Sequence, residues 1–275
     1  MLPSPFSPSS FQLKKDLANI IFRGKKSPQI AEWVIGTYLM LSHHFLAYHD
    51  AASQHGKSQV LRHLTTTDSP GMRMGILGYG AIGRQVARVA SALGMEIYAY
   101  TRRPKDTPES RKDDSYHVPG TGDPDGVIPT KWFSGASRSD IDNFLAQDLD
   151  ILVVSLPLTE STKKIIGPKQ FDILARKKTF LSNIARGQHV DTEALVEALR
   201  QDKIRGAALD VTDPEPLPEN HPLLKEFPGK CFVTPHVSWQ TPYYFERVKA
   251  ILEENLERMR KGERMVNVMD RESGY

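Results

Sequence analysis

The chain has 275 residues, of which 39% are hydrophobic and 25% charged, as is ordinary for a globular protein of one large or two small domains. Its formal net charge of +3, without a basic run interleaved with aromatic residues, argues against a nucleic-acid partner. The single cysteine, Cys231, excludes an internal disulfide framework, and no apolar run reaches the ~18 residues of a membrane span, so we expect a cytoplasmic protein.

The first predicted element is a long helix over residues 29–48, with Ser27 as its N-cap and Pro28 at the first helical position. Apolar residues recur along it near helical spacing, so this helix needs to bury a wide face. Residues 1–10, which are rich in proline and serine, are expected to form a disordered tail. Residues 49–71 are polar and are predicted to be irregular.

Strand and helix alternate from residue 73 onward. We predict a strand over 73–77, a helix over 81–93 with Gly94 as its C-cap, and a second strand over 95–100. Residues 104–139 are rich in Pro, Gly, Asp and Ser and are predicted to be a loop. Because so long a loop is unusual in a compact domain, we interpret it as an insertion, with a functional lid as the alternative.

The alternation continues beyond this loop. The apolar core of residues 150–155 is typical of a buried parallel strand, and Asp191 is a candidate helix N-cap. The predicted strands cover 150–155, 179–183, 205–211 and 231–234, and the predicted helices cover 139–146, 162–166, 169–174, 192–201 and 243–261. This pattern predicts an α/β fold with a doubly wound parallel sheet, a Rossmann-type domain.

The loop after the first strand carries three spaced glycines, in the sequence Gly78-Tyr79-Gly80-Ala81-Ile82-Gly83. Gly78 allows a tight turn, Gly80 allows a pyrophosphate to approach the backbone, and Gly83 lets helix and strand pack closely. The N-terminus of the following helix favours phosphate. Because a strand precedes this loop and a helix and a strand follow it, the pattern predicts a dinucleotide site.

The end of the second strand distinguishes between the two nicotinamide dinucleotides. NAD sites usually place an acid there to bind the ribose hydroxyls, but the residue eighteen positions after Gly83 is Thr101. Arg102 and Arg103 follow, and guanidinium groups suit a 2′-phosphate. We therefore predict that NADP(H) is preferred and that NAD(H) is possible; the alternative is two exposed arginines in a loop.

Three polar residues downstream stand in distinctive contexts. Arg186 follows Ser182-Asn183-Ile184-Ala185, Glu215 ends Thr212-Asp213-Pro214-Glu215, and His236 lies in Val233-Thr234-Pro235-His236-Val237-Ser238-Trp239. A dinucleotide loop followed by a cation, a carboxylate and an imidazole is what hydride transfer to a small oxo acid needs.

From about residue 28 onward the chain resembles the D-isomer-specific 2-hydroxyacid dehydrogenases, which include glyoxylate/hydroxypyruvate reductases and phosphoglycerate dehydrogenases. Several separate motifs carry the resemblance in the order of the family. They are Gly78 to Gly83, Ser155-Leu156-Pro157-Leu158-Thr159, Asn183 to Gly187 with Val190-Asp191, Gly206 to Val211 with Pro214-Glu215-Pro216, and Thr234-Pro235-His236.

The resemblance implies a role for each matching residue. His236 would be the acid/base, Glu215 its carboxylate partner, and Arg186 the residue that binds the substrate carboxylate and polarises its carbonyl. Asp210 would contact the nicotinamide carboxamide, and Trp239 either lines the substrate pocket or belongs to the core. The other cofactor contacts implied are Leu156, Pro157 and Thr162 along the cofactor, and Asn183 and Ala185 beside the nicotinamide ribose.

Members of the family carry a complete substrate domain ahead of the cofactor domain. The helix around Ala31-Glu32-Trp33 resembles their interdomain helix, but only about 27 residues precede it here. We therefore expect only a remnant of the substrate domain. The expected division is residues 1–50 as tail and interdomain helix, 51–241 as the NAD(P)-binding domain, and 242–275 as a helix returning toward the substrate domain. Helix faces left exposed would favour a homodimer.

The sequence thus predicts an oxidoreductase that transfers hydride between NADP(H) and a small 2-oxo acid or D-2-hydroxy acid, similar to glyoxylate/hydroxypyruvate reductases. The alternative is a dinucleotide-binding interaction protein without turnover, like the transcriptional corepressors of this fold, or a catalytically impaired remnant of such an enzyme. No metal site is predicted, because the clustered histidines have no acid or cysteine at ligand spacing. These histidines are His43, His44, His49, His55 and His63.

Overall fold

The computed structural model describes residues 24–55 and 65–268, so the predicted tail over residues 1–10 and His63 lie outside the described residues. Seven parallel strands form one sheet in the order β3-β2-β1-β4-β5-β6-β7. The strands are β1 (Arg73–Leu77), β2 (Glu96–Thr101), β3 (Lys131–Ser134), β4 (Ile151–Val154), β5 (Phe180–Asn183), β6 (Gly206–Leu209) and β7 (Cys231–Val233). The predicted doubly wound α/β fold is confirmed.

Helices cover both faces of this sheet. They are α1 (Ser27–Ser42), α2 (Phe45–His55), α3 (Ala81–Ala92), α4 (Pro108–Arg111), α5 (Arg138–Leu145), α6 (Pro168–Leu174), α7 (Thr192–Arg200), α8 (Pro222–Lys225) and α9 (Tyr244–Lys261). Along β4, Ile151 and Val153 join the core under α1 and α3, whereas Leu152 and Val154 join the core under α5, α6 and α7. Successive side chains of a strand point to opposite faces, so a strand buried on both faces is apolar throughout.

The predicted helix over 29–48 is wrong as a single element. It consists of α1 and α2, separated at His43 and His44, and His44 adopts a φ of 56°, which no continuous helix allows. Residues 49–55, predicted to be irregular, are helical. The N-cap is Lys26 rather than Ser27, which lies within the helix, although Pro28 does occupy the first turn. Apolar spacing alone does not reveal a break between two helices that follow one another directly.

The predicted loop over 104–139 is also corrected. Its last part forms β3, which pairs in parallel with β2 at the edge of the sheet, and its first part contains the short helix α4. Buried Asp123 organises the middle, since its carboxylate accepts hydrogen bonds from the Tyr79 hydroxyl (2.7 Å) and the Val127 amide (3.0 Å). The segment is therefore fastened to the glycine loop. A four-residue, half-exposed edge strand carries too little pattern to be predicted.

Elsewhere the predicted elements begin and end within two residues of the observed ones, with one exception, and the C-cap of α3 is Leu93 rather than the predicted Gly94. Residues 160–162 form a single 3-10 turn where a helix over 162–166 was predicted, and Ile166 instead makes a parallel bridge with Val190. Asp191 caps α7 as predicted, since its carboxylate accepts from the Ala194 amide at 3.2 Å. Within residues 24–55 and 65–268, no helix is both long and apolar enough to cross a bilayer.

Cys231 provides a test of this packing. Its side chain contacts the core on the α5–α7 face, and burial raises the pKa of the Cys231 thiol to about 12. The thiolate is the reactive form, so at mildly alkaline pH the folded chain should react only slowly with Ellman's reagent. Unfolding in guanidinium should release one reactive thiol per chain, because the sequence has one cysteine. Rapid, complete reaction of the folded chain would contradict the position of β7.

Candidate active site

The glycine loop follows β1 directly and leads into α3. Gly78 has a φ of 109°, and a Cβ there would lie 2.6 Å from the Ser155 carbonyl oxygen. A Cβ on Gly83 would lie 2.5 Å from the Gly78 carbonyl oxygen, whereas a Cβ on Gly80 would meet nothing within 4 Å. Gly80 therefore faces open space at the start of α3, a helix that no side chain caps. Free amides at a helix N-terminus suit a phosphate group, so the loop fits a dinucleotide pyrophosphate.

The residues predicted to select the cofactor lie at the end of β2, next to this loop. Tyr79, within the loop, is buried, and its amide donates to the Tyr100 carbonyl at 3.1 Å. Thr101 ends the strand and donates from its hydroxyl to the Arg103 carbonyl at 2.7 Å. Arg102 and Arg103 are exposed, and within the described part of the chain neither guanidinium is paired with a carboxylate. Two unpaired cations beside a phosphate loop suit a further phosphate group.

Two further loops approach the same end of the sheet. After β4, Leu156 and Pro157 are half-buried, and the Thr162 hydroxyl donates to the Pro157 carbonyl at 2.9 Å. After β5, the Asn183 amide side chain donates to the Arg186 carbonyl (3.0 Å) and accepts from the Ala185 amide (3.2 Å). These side chains fix the backbone of both loops. In a parallel sheet the carboxyl ends of neighbouring strands lie together, which is where this fold binds ligands.

Glu215 and His236 form a pair. Nδ1 of His236 lies 2.9 Å from Oε1 of Glu215, and the two side chains are 39% and 40% exposed. Glu215 comes from the loop after β6, which contains cis peptide bonds at Asp213-Pro214 and Glu215-Pro216. A carboxylate on Nδ1 fixes the orientation of the imidazole and leaves Nε2 as the nitrogen available to a ligand.

Asp210 positions the histidine. It is 1% exposed at the end of β6, and its backbone carbonyl accepts from the His236 amide at 2.8 Å. Its carboxylate accepts from the Thr234 hydroxyl (2.6 Å) and the Val237 amide (2.8 Å), and from both the amide and the hydroxyl of Ser238. His236 has a φ of 57°, a conformation that costs a non-glycine residue about 1–3 kcal/mol unless its surroundings hold it. The Asp210 carboxylate supplies those contacts, and the predicted contact to a nicotinamide stays a prediction.

Arg186 is exposed and largely free. The only described hydrogen bond of its side chain runs from Nη1 to the Ala185 carbonyl at 2.6 Å, and within the described residues no hydrogen bond or ion pair joins the guanidinium to Glu215 or His236. The Gly187 backbone packs against Thr212, since a Cβ on Gly187 would lie 1.9 Å from the Thr212 carbonyl oxygen. The loops that carry Arg186 and Glu215 are therefore in direct contact, and the guanidinium is available to a ligand.

His189 belongs to the site region, and sequence reasoning missed it. It is fully buried, and its Nδ1 and Nε2 lie 3.1 Å from the carbonyl oxygens of Arg186 and Pro157 respectively. Burial lowers the pKa of His189, and the charge of Arg186 acts in the same direction, while the two carbonyl contacts oppose it. The ring links the loop after β5 to the loop after β4. No motif marks this position, because the contact depends on two residues distant in sequence.

Trp239 and Lys26 lie beside the histidine loop. Trp239 is half-buried and packs partly against the core under α1 and α3, while a place in a substrate pocket stays a prediction. The Lys26 ammonium lies 4.6 Å from the centroid of its ring. In the described part of the chain, no group of three or more His, Cys, Asp or Glu side chains could hold a metal ion.

The chain is similar to proteins of one family. A family model described as D-isomer specific 2-hydroxyacid dehydrogenase, NAD binding domain, matches residues 35–121 and 128–238. A glyoxylate reductase from Aeropyrum pernix is 34% identical over 202 residues, which cover 74% of this chain and 52% of that protein. A hydroxypyruvate reductase from Blautia hydrogenotrophica is 29% identical over 260 residues, which cover 93% of this chain and 71% of that protein. This chain thus spans about half the length of the Aeropyrum protein.

A solved structure gives the same result. The D-isomer specific 2-hydroxyacid dehydrogenase from Xanthobacter autotrophicus Py2, in complex with NADPH and MES, superposes with a TM-score of 0.68 at 27% identity. The match covers 91% of this chain and 90% of that one. The family match is interrupted at residues 122–127, within the segment interpreted as an insertion, and that interpretation stays a prediction.

Proposed function

Because this chain belongs to the D-isomer specific 2-hydroxyacid dehydrogenase family, we propose that it reduces a small 2-oxo acid to the D-2-hydroxy acid with NADPH as the hydride donor. The observation that carries the proposal is the His236–Glu215 pair, 2.9 Å apart, on loops at the same end of the sheet as the glycine loop. An acid/base of this kind is what carbonyl reduction requires of the protein, because the carbonyl oxygen needs a proton when its carbon accepts hydride.

The dinucleotide, when bound, supplies the hydride. His236 donates a proton from Nε2 to the carbonyl oxygen, so that one 2-oxo acid, one NADPH and one proton give one 2-hydroxy acid and one NADP⁺. Glu215 holds the ring through Nδ1, which orients Nε2 for the proton transfer. Asp210 fixes the backbone that presents the ring.

Arg186 binds the substrate carboxylate in this proposal. A guanidinium offers a planar fork of donors that matches a carboxylate, and its charge also polarises the neighbouring carbonyl. Its side chain is exposed, and the described structure shows no competing carboxylate on it. We expect the lining of the cofactor side to come from Leu156, Pro157, Thr162, Asn183 and Ala185.

NADPH is the proposed cofactor because Arg102 and Arg103 follow β2 without an acid at its end. The double variant Arg102→Ala/Arg103→Ala should weaken NADPH binding by roughly 10–100-fold, which corresponds to the loss of one charge-assisted contact to the 2′-phosphate, worth about 1.5–3 kcal/mol. NADH binding should change little, because NADH lacks that phosphate. Fluorescence titration with both cofactors measures the effect.

The matched control is Arg176→Ala, which removes an exposed arginine paired with Asp148. These two residues precede β5 and β4, whereas the glycine loop follows β1, so the pair lies toward the other end of the parallel sheet. It should leave both affinities unchanged. Equal losses for NADPH and NADH in the double variant would overturn the proposed preference and indicate that the two arginines only support the loop.

The direct test of the function is consumption of NADPH by the purified chain with glyoxylate or hydroxypyruvate. We expect NADPH oxidation that requires the presence of the oxo acid. A folded chain that binds NADPH but consumes none of it, with any small 2-oxo acid, would instead support a dinucleotide-binding protein without turnover.

A further inference from the structure

Lys26 stands at the N-cap of α1, beside the loop that carries His236. Its ammonium lies 4.6 Å from the ring centroid of Trp239 and 5.6 Å from that of Tyr244. Trp239 is three residues beyond His236. Lys26 thus belongs to a segment distant in sequence from the glycine loop and from Arg186, Glu215 and His236, yet its charged group lies next to the acid/base loop.

Several contacts fasten the start of α1 to this loop. The Gln29 side-chain amide donates to the Trp239 carbonyl at 2.8 Å. Arg247, from α9, donates to the Lys25 carbonyl and to the Gln29 side-chain oxygen, both at 2.9 Å. The Lys25 ammonium donates to the Tyr244 hydroxyl at 2.7 Å. These interactions tie the backbone on both sides of Lys26 to the segment after His236.

The Lys26 charge is not neutralised in the described structure. Lys26 is half-buried, and within residues 24–55 and 65–268 no carboxylate lies within ion-pair distance of its ammonium. Burial lowers the pKa of Lys26, and the positive charges of Lys25 and Arg186 lower it further, against an opposing effect of Tyr244. Lys26 and Arg186 therefore act on each other electrostatically. Two neighbouring cations without a carboxylate favour an anionic ligand.

The carboxylate of Glu215, on the acid/base side of the site, is already bonded to His236. One substrate carboxylate on Arg186 would neutralise that guanidinium and leave the Lys26 ammonium without a counter-charge. The ring of Trp239 also restricts the position of the Lys26 ammonium. An ammonium that is already positioned loses less conformational entropy when it binds an anion.

We propose that Lys26 is a specificity residue that binds a second anionic group on the substrate, so that the site prefers 2-oxo diacids over 2-oxo monoacids of the same length. This inference rests on the proposed function and deepens it. Arg186 would take the carboxylate next to the reacting carbonyl, and Lys26 would take the carboxylate at the far end.

The test compares substrates that differ only in the terminal carboxylate. We expect kcat/KM for 2-oxoglutarate to exceed that for 2-oxovalerate by about tenfold, since a charge-assisted contact at a half-buried site has roughly that effect. Lys26→Met, which keeps the length of the side chain, should abolish the difference by lowering the diacid value only. Lys26→Arg should retain most of it.

Lys131→Met is the matched control, because Lys131 also lies over an aromatic ring, Tyr98 at 5.1 Å, but on the edge strand β3. It should leave the diacid preference unchanged. Equal loss on both substrates in Lys26→Met would overturn the proposal, as would a parent chain that does not distinguish them.

A binding measurement separates this inference from the proposed function. Calorimetry with glutarate and valerate, in the presence of NADP⁺, needs no turnover. Glutarate binding that exceeds valerate binding and is lost in Lys26→Met, without turnover of any oxo acid, would support the Lys26 site and refute the reductase. Turnover of monoacids without any preference for a dianion would support the reductase and refute the Lys26 site.

Discussion

Replacing His236 with glutamine should lower kcat by roughly 10²–10⁴-fold, the usual contribution of a positioned acid/base, and should leave NADPH affinity unchanged. Glutamine keeps the approximate size and a hydrogen bond to Glu215 but cannot deliver a proton to the carbonyl oxygen. The His236 side chain is 39% exposed and supports little of the core, so the variant should fold like the parent. Steady-state NADPH oxidation and a fluorescence titration measure the two quantities.

Two further variants test whether the loss of kcat is specific to the His236–Glu215 pair. Glu215→Gln should cause a smaller loss of kcat, because the imidazole remains but loses the carboxylate that orients it. His49→Gln changes an exposed histidine on α2 and should have no effect. Full activity of His236→Gln in a sample that binds NADPH would show that His236 is not the acid/base.

Two glycine variants should separate folding from cofactor binding. Gly78→Ala places a Cβ 2.6 Å from the Ser155 carbonyl oxygen at a φ of 109°, so we expect a loss of about 2–5 kcal/mol in the free energy of unfolding from overpacking and backbone strain. Gly80→Ala meets nothing within 4 Å and should leave that free energy nearly unchanged. Its methyl group would instead occupy the space proposed for the pyrophosphate.

NADPH affinity should therefore fall by roughly tenfold or more in Gly80→Ala, since a lost contact to a charged phosphate is worth about 1.5–3 kcal/mol. Denaturant unfolding and NADPH titration on both variants provide the comparison, with the Cys231 thiol as an independent probe of folding. Unchanged NADPH affinity in a folded Gly80→Ala chain would place the dinucleotide elsewhere.

The sequence was sufficient to predict those elements whose pattern is local. Strands such as β4 are buried on both faces and therefore apolar throughout, and Asp191 marks the start of α7 by its capping side chain. The edge strand β3 was missed because half of its surface is exposed and its four residues show no period. The break between α1 and α2 was missed because it depends on one residue, His44, in a left-handed conformation.

The residues of the candidate site likewise fall into those that a local motif predicts and those that only the fold brings together. Short motifs were enough to select Glu215 and His236, and the structure brings them into contact. The contacts of Asp210, His189 and Lys26 could not be predicted, because each joins segments far apart in sequence that only the packed sheet brings together. The roles of the site residues, the homodimer and the NADPH preference stay predictions.

The most direct test of the central claim is analysis of the product formed from hydroxypyruvate and NADPH by the purified chain. Chiral chromatography should show D-glycerate in a one-to-one ratio with the NADPH consumed, and none with His236→Gln. A folded, NADPH-binding chain that yields no glycerate, or that yields the L isomer, would contradict the assignment of this site as a D-2-hydroxyacid dehydrogenase centre.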